Sequence, residues 1–331
     1  MNYKASIGVT TNMKVDSTNW IAENATSLGA NSIWIGEDIG IGQDPFVMAS
    51  SIILKAKQVR VGTGIVPITT HNISTLARAA LTLHEISDGN FVLGIGIGGV
   101  QDLKNLGIRV KKPVSALRES ISLLRRLWNG ESITLESELF HMNEYNLRLN
   151  KAFSVPIFLG VRGPQMLKLT GRLADGVILS GPLDYLKYAM QIIDDSAISV
   201  GRKPNEIERV VWSPTIPTFH GGKEKLAKKV VSIVIADTPE VMLDMINIDR
   251  EKLDKIQDAV SKSGPNAGIP FIDDEILDMF AISGSKEHIV DMFESIIKLG
   301  ASEVVLGPPF SGEWRSAMKD IFQEINSRRH E

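Results

Sequence analysis

The residues of this chain best suited to chemistry fall in a few short stretches. The segment WIGEDIG sets two adjacent carboxylates, Glu37 and Asp38, directly after an apolar run. At the end of a strand such a pair offers a general acid and a general base, although helix capping and loop solvation are ordinary uses of the same residues. His71, in ITTHNIST, follows another β-branched run and is equally readable as a surface histidine. Thr10, Thr11 and Asn12 close a first apolar run with groups able to hydrogen-bond. A further stretch, NFVLGIGIGGVQ, carries Gly94-x-Gly96-x-x-Gly99, the letters of a dinucleotide-binding turn.

That turn needs the first strand of a βαβ unit, a helix opening at the third glycine, and an acid about 20 residues on. Here the strand is fourth in order, VQDLKNLGIRVKKP offers at best a short helix, and Glu119 lies within a helical stretch. The glycines therefore read sterically. Bare alternate positions let a flat ligand or another backbone approach, or merely fit a crowded interior. Gly98 and Gly99 fall where the strand should open onto its C-terminal end, which favours the ligand side of that choice.

The elements that must position these residues follow a regular rhythm. Strand-like runs are Ser6–Thr10, Ser32–Ile35, Val59–Gly64, Phe91–Ile97, Val155–Gly160, Gly176–Ser180, Arg209–Ser213 and Glu303–Gly307. Their near-continuous apolar character suits parallel strands covered on both faces. Between them, apolar residues recur at helical spacing near 17–28, 45–56, 73–87, 113–128, 164–174, 183–200, 285–299 and 313–327. In PVSALRESISLLRRLW, for example, Val114, Leu117, Ile121, Leu124 and Trp128 line one side. Eight such units predict an α/β fold, a (β/α)8 TIM barrel in one domain over 1–331. A helical insertion over 218–283 separates strands seven and eight, and SKSGPNAGIPFIDD within it reads as a mobile loop.

Composition narrows the function further. The 331 residues are 43% hydrophobic and 23% charged with a net charge of −3, which leaves no basic footprint for nucleic acid. No apolar run reaches the roughly 18 residues of a membrane helix, and the N-terminus lacks a signal-peptide profile, so a cytoplasmic protein is expected. There is no cysteine, and the six histidines are scattered without ligand spacing, so no metal site is expected. No nucleophile elbow and no Walker loop occur. The five tryptophans stand singly, as packing residues do.

The stretch GIVPITTHNISTLARAALTLHEISDGNFVLGIGIGG, then LGIRVKKPVSALRESISLLRRLWNGE, resembles the bacterial luciferase-like family of flavin and deazaflavin barrels. Within it the likeness is to the coenzyme F420-dependent methylenetetrahydromethanopterin reductases. A second match is VPIFLGVRGPQMLKLTGRLADGVILSGP, and together the likeness covers residues 1 to about 215 and 280–327. The resemblance implies a non-prolyl cis peptide at Gly64–Ile65, forming a bulge behind a deazaflavin ring. It also implies a phosphate cradle at Gly160, Val161, Arg162, Gly163, Pro164 and Gln165, beside Ser180 and Gly181. A proline at the first helical position and free N–H groups there make an anion site on physical grounds too. Two departures stand out: the family's strand-one glutamate falls on Gly8, and its Gly-Pro-Gly-Asp reads Gly96-Ile97-Gly98-Gly99, losing an acid.

The expectation is thus an oxidoreductase passing hydride between F420 and a small-molecule substrate, with methylenetetrahydromethanopterin the best named one. Glu37, Asp38 and His71 would be its acid/base groups, and a homodimer its assembly. An FMN-dependent luciferase-like monooxygenase, or a flavin-binding protein without turnover, are the alternatives.

Overall fold

Strands that are apolar on both faces must bury both, and a closed barrel ringed by helices does so without leaving a free edge. The computed structural model, describing residues 3–238, 240–246 and 248–330 and the side chains of all these except 100, 101, 241 and 330, adopts that solution. The eight barrel strands are Lys4–Thr10, Ser32–Gly36, Arg60–Thr63, Phe91–Gly96, Ile157–Gly160, Gly176–Leu179, Glu208–Pro217 and Glu303–Gly307. Each pairs in parallel with the next, and the eighth closes on the first with Lys4 opposite Glu303 and Ile7 opposite Leu306. A short continuation of strand three, Val66–Pro67, pairs with Ile95 and Gly96.

The ring helices begin and end where the local chemistry demands. Helix Pro45–Lys55 has proline in its first turn, and Asp44 accepts from the N–H groups of Phe46 and Val47. Helix Ile73–Ile86 is capped by Asn72, which accepts from Ser74 N–H. Helix Pro113–Trp128 buries Leu117, Ile121, Leu124 and Trp128 as its spacing predicts, and Trp128 donates to the Ala77 carbonyl at 3.0 Å. An antiparallel hairpin, Ile133–Glu136 with His141–Tyr145, follows it and was not expected.

Between strands seven and eight lies the expected helical insertion, with a small core of its own that includes Ile216, Val231, Leu253, Ile256 and Ile276. The stretch 261–274 is not the loop its glycines and prolines suggested. It finishes helix Arg250–Ser263, then forms short turns at Pro265–Gly268 and Ile269–Phe271. Apolar anchoring overrides the local breakers: Ile272 is buried, and Gly268 presses against Ser232 and Val260.

Inside the barrel the side chains stack in three layers. At the bottom, Arg60 is held by Glu208 at 2.9 Å and by Glu303, and Lys4 reaches Glu208 at 3.1 Å. Above them Trp34 and Phe158 lie 5.6 Å apart among Val92, Ile178, Val210 and Val305. The layers are tied together, since Trp34 Nε1 donates to Glu303 at 2.6 Å and the Arg60 guanidinium lies 5.3 Å from the Trp34 ring. Ile65 and Trp212 form the top layer, partly exposed toward the mouth.

Glu303 is fully buried and shares Arg60 with Glu208. Removing Glu303 leaves Arg60 with Glu208 alone and the buried Trp34 Nε1–H without its acceptor, at a cost of about 1–3 kcal/mol. Urea unfolding of Glu303→Ala is expected to show a loss of that size; a loss below about 1 kcal/mol would mean that the base of the barrel does not depend on Glu303.

Candidate active site

The C-terminal ends of the strands meet at one face, and strand three builds its centre. The Gly64–Ile65 peptide is cis, as the resemblance implied. Gly64 N–H donates to the Ile35 carbonyl at 2.7 Å, and the Ile65 carbonyl accepts from Glu37 N–H at 3.1 Å, so the bulge is stitched to strand two. Its side chain occupies the room left bare on the next strands: a Cβ at Gly96 would come within 2.9 Å of Ile65, and one at Gly160 would collide with it.

The glycines of the fourth strand thereby find their use. A Cβ at Gly94 would overlap the Thr63 carbonyl oxygen, and the Thr63 hydroxyl both donates to Gly94 O at 2.7 Å and accepts from Gly94 N–H at 2.8 Å. Close backbone approach, not pyrophosphate, is what Gly94 and Gly96 serve. Gly98 has φ of 105°, a conformation that favours glycine, and exposed Gly99 precedes the short helix Val100–Asn105. Glu119 has no ribose-like role, for its carboxylate accepts from the Ser137 hydroxyl at 2.7 Å.

All three acid/base candidates come to this face, and two of them pair directly. His71 Nε2 lies 2.7 Å from Glu37 Oε2, with the two side chains only 16% and 10% exposed. Phe46 packs edge-on against the imidazole at 5.3 Å. Asp38 is held separately, its N–H donating to the buried Thr11 hydroxyl at 2.9 Å and its carboxylate accepting from Asn12 N–H at 3.4 Å. Burial pushes the Asp38 carboxyl above the ordinary aspartate range; hydrogen bonds from Thr10 and Asn12 oppose this, and the charges of Asp102 and Glu37 add to it. Asp102 itself lies 2.8 Å from where a Cβ at Gly99 would stand. A carboxylate from one helical turn further on therefore fills the place of the acid missing at 99.

The expected cradle is present as backbone. Helix Pro164–Leu173 opens with Gly163 at its cap position and no side chain capping it. Among the described residues no hydrogen bond engages the N–H of Gly163 or Gln165, and a Cβ on Gly163 would meet nothing within 4 Å. Such an open helix N-terminus accommodates an anion. Val161 is buried beneath it, while Ser180 and Gly181 are partly exposed at the end of strand six. Gly181 has φ of 150° and is hemmed by Tyr185 and Met242. The Tyr185 hydroxyl donates to the Arg162 carbonyl at 2.8 Å, and burial keeps that phenol well above its usual titration range. The Arg162 guanidinium donates to the Asp237 carbonyl at 3.2 Å, binding the insertion to the cradle. Burial raises the Asp237 carboxyl, against the opposing charge of Arg162.

Beside the His71 loop a cavity of about 420 Å³ separates residues 68–74 from the hairpin. No group of three or more potential metal ligands occurs among the described residues, and no helix there is long and apolar enough to cross a membrane. Sequence reasoning missed Trp212, Asp102 and Asp237, because nothing in their local context distinguishes them from packing or solvated residues. It also took the tryptophans singly, whereas Trp20 and Trp314 meet edge-on at 5.2 Å.

The Asp38 shift sets a pH dependence with a definite sign. A raised carboxyl favours its protonated form in the fold, so its contribution is complete below the unfolded-state value and is lost as pH rises through the folded-state one. Asp38→Asn is isosteric with the protonated form. Its Tm relative to wild type is expected to be more favourable at pH 7 than at pH 4; a pH-independent difference would contradict the assignment.

Comparison with known proteins adds to this geometry. The family model described as luciferase-like monooxygenase matches residues 3–303. A protein of Archaeoglobus fulgidus named 5,10-methylenetetrahydromethanopterin reductase is 26% identical over 97% of this chain and 98% of its own. One of the same name from Methanolobus tindarius is 27% identical over 92% and 94%. The solved structure of the coenzyme F420-dependent tetrahydromethanopterin reductase from Methanopyrus kandleri superposes with a TM-score of 0.87 at 21% identity, over 99% of both chains.

Proposed function

The chain belongs to the luciferase-like monooxygenase family, and from that premise we propose that it is an F420-dependent oxidoreductase acting at the barrel mouth on a small-molecule substrate. The best named reaction is reduction of methylenetetrahydromethanopterin, in keeping with the names of its full-length relatives. The observation that carries the reading is the Gly64–Ile65 bulge. It touches the cradle strand at Gly160 on one side and holds Glu37 through its carbonyl on the other, joining a ring-backing surface, an anion site and acid/base groups in one place.

The residues present fit the cofactor. The open N–H groups at Gly163 and Gln165, with Ser180 and Gly181 beside them, would hold its phosphate. Gly98 and the bulge would flank its ring. F420, when bound, supplies two-electron hydride chemistry and needs no metal. The protein's own work is orientation, exclusion of water and proton handling. Asp38 keeps its proton to a higher pH than an ordinary aspartate and is the donor at this mouth. Glu37 fixes the orientation of the His71 imidazole, leaving the ring's other nitrogen to serve the substrate.

Fluorescence titration with F420 and, separately, FMN tests the cofactor. Micromolar or tighter binding of F420 and much weaker binding of FMN are expected; preference for FMN would transfer the chain to the monooxygenase branch. Gly163→Asp places a carboxylate in the open space at the helix N-terminus, and should weaken F420 by about tenfold or more, about 1.4 kcal/mol. Unchanged affinity would remove the cradle from the site. Once a substrate is in hand, Asp38→Asn should lower kcat by about 10²–10⁴ with the fold intact, the usual range for a lost general acid.

A further inference from the structure

Trp212 lies on strand seven, in register with Val305, yet its indole reaches the far wall of the barrel. A Cβ at Gly8 would stand 2.6 Å from the ring, one at Gly64 3.2 Å away, one at Gly36 3.6 Å away, and one at Gly307 would overlap its Nε1 edge. These four glycines come from strands one, three, two and eight. One side chain thus spans the barrel axis at the level where the strands end, in a space kept clear from the other side. Below it the Trp34 and Phe158 layer is closed; above it Trp212 remains partly exposed. Whatever enters the mouth along the axis meets this indole and the neighbouring Ile65.

We propose that Trp212 is the floor of the binding site, the aromatic surface on which the conjugated ring of a flat ligand rests, and the residue that sets how deep and how large that ligand can be. The proposal rests on reading the mouth as a ring-binding site. It also accounts for where the acids stand. With the indole filling the room at Gly8, strand one has no space to carry a carboxylate across the axis, and proton handling is confined to Glu37, Asp38 and His71 at the rim.

The test is a double-substitution cycle between facing positions, using the full chain. Wild type, Gly8→Ala, Trp212→Phe, Trp212→Ala and Gly8→Ala/Trp212→Phe are titrated with F420 and with FMN, and their Tm values are measured. In the wild-type background Gly8→Ala pushes the indole and should weaken ring binding about three- to tenfold, the size of one aromatic contact. With the shorter Phe at 212 the same Gly8→Ala should have little effect, and that non-additivity is the signature. Trp212→Ala should weaken binding and narrow the difference between the two ring compounds; if it fails to fold, Trp212→Phe and the cycle still decide. If wild type binds F420 and neither position alters the affinity, or the two act additively, the floor is wrong and the F420 reading stands. If wild type prefers FMN and the cycle is non-additive for FMN, the floor stands and the F420 reading falls. Binding of neither ring compound overturns both.

Discussion

An eight-stranded barrel has room inside for one set of filling side chains and no more, and the mouth of this protein depends on how that room is divided. Strands one, two, three and eight give up their side chains at Gly8, Gly36, Gly64 and Gly307, and one large indole from strand seven takes the space. Strands four and five give theirs up at Gly96 and Gly160, and the Ile65 side chain takes it. Both exchanges place a bulky apolar group at the top of the core, held from all sides, on which a site can be built. Because packed interiors do not yield gradually, neither can shift without the other elements shifting too.

Charge is distributed to suit that arrangement. The cations and carboxylates inside the barrel are gathered at its base, where Arg60, Glu208, Glu303 and Lys4 satisfy one another and the Trp34 indole. Above the aromatic layer the carboxylates stand on the rim. There burial, uncompensated by a nearby cation, raises Asp38, while Glu37 is paired with His71. The hydride transfer proposed for this mouth would use such an apolar layer with titratable groups at its edge, which would exclude water beneath a bound ring and handle protons beside it. The insertion contributes at the same edge, with Asp237 and Met242 lying against Arg162 and Gly181.

The amino-acid sequence by itself determined the eight strands and their helices, because periodicity and local breakers are properties of short segments. It located the turn before Pro164 and the acids after strand two, since each sits at a strand end recognisable from its neighbours, and the family resemblance of its motifs implied the bulge at Gly64–Ile65. It also excluded the dinucleotide turn from context alone. What only the tertiary structure decided was every partnership across the barrel. Glu37 and His71 are 34 residues apart in the chain and 2.7 Å apart in space. Asp102 takes up the place of an acid absent at Gly99, Arg162 turns to the insertion, and the stretch 261–274 folds into helical turns against Ser232 and Val260. The vacancy at Gly8 reads in the sequence as a missing acid, and in the fold as the space that Trp212 fills. The physical reason is the same throughout: propensity and capping act within a few residues, whereas closing the barrel converts distant positions into neighbours, and burial, pairing and steric exclusion act only once they have met.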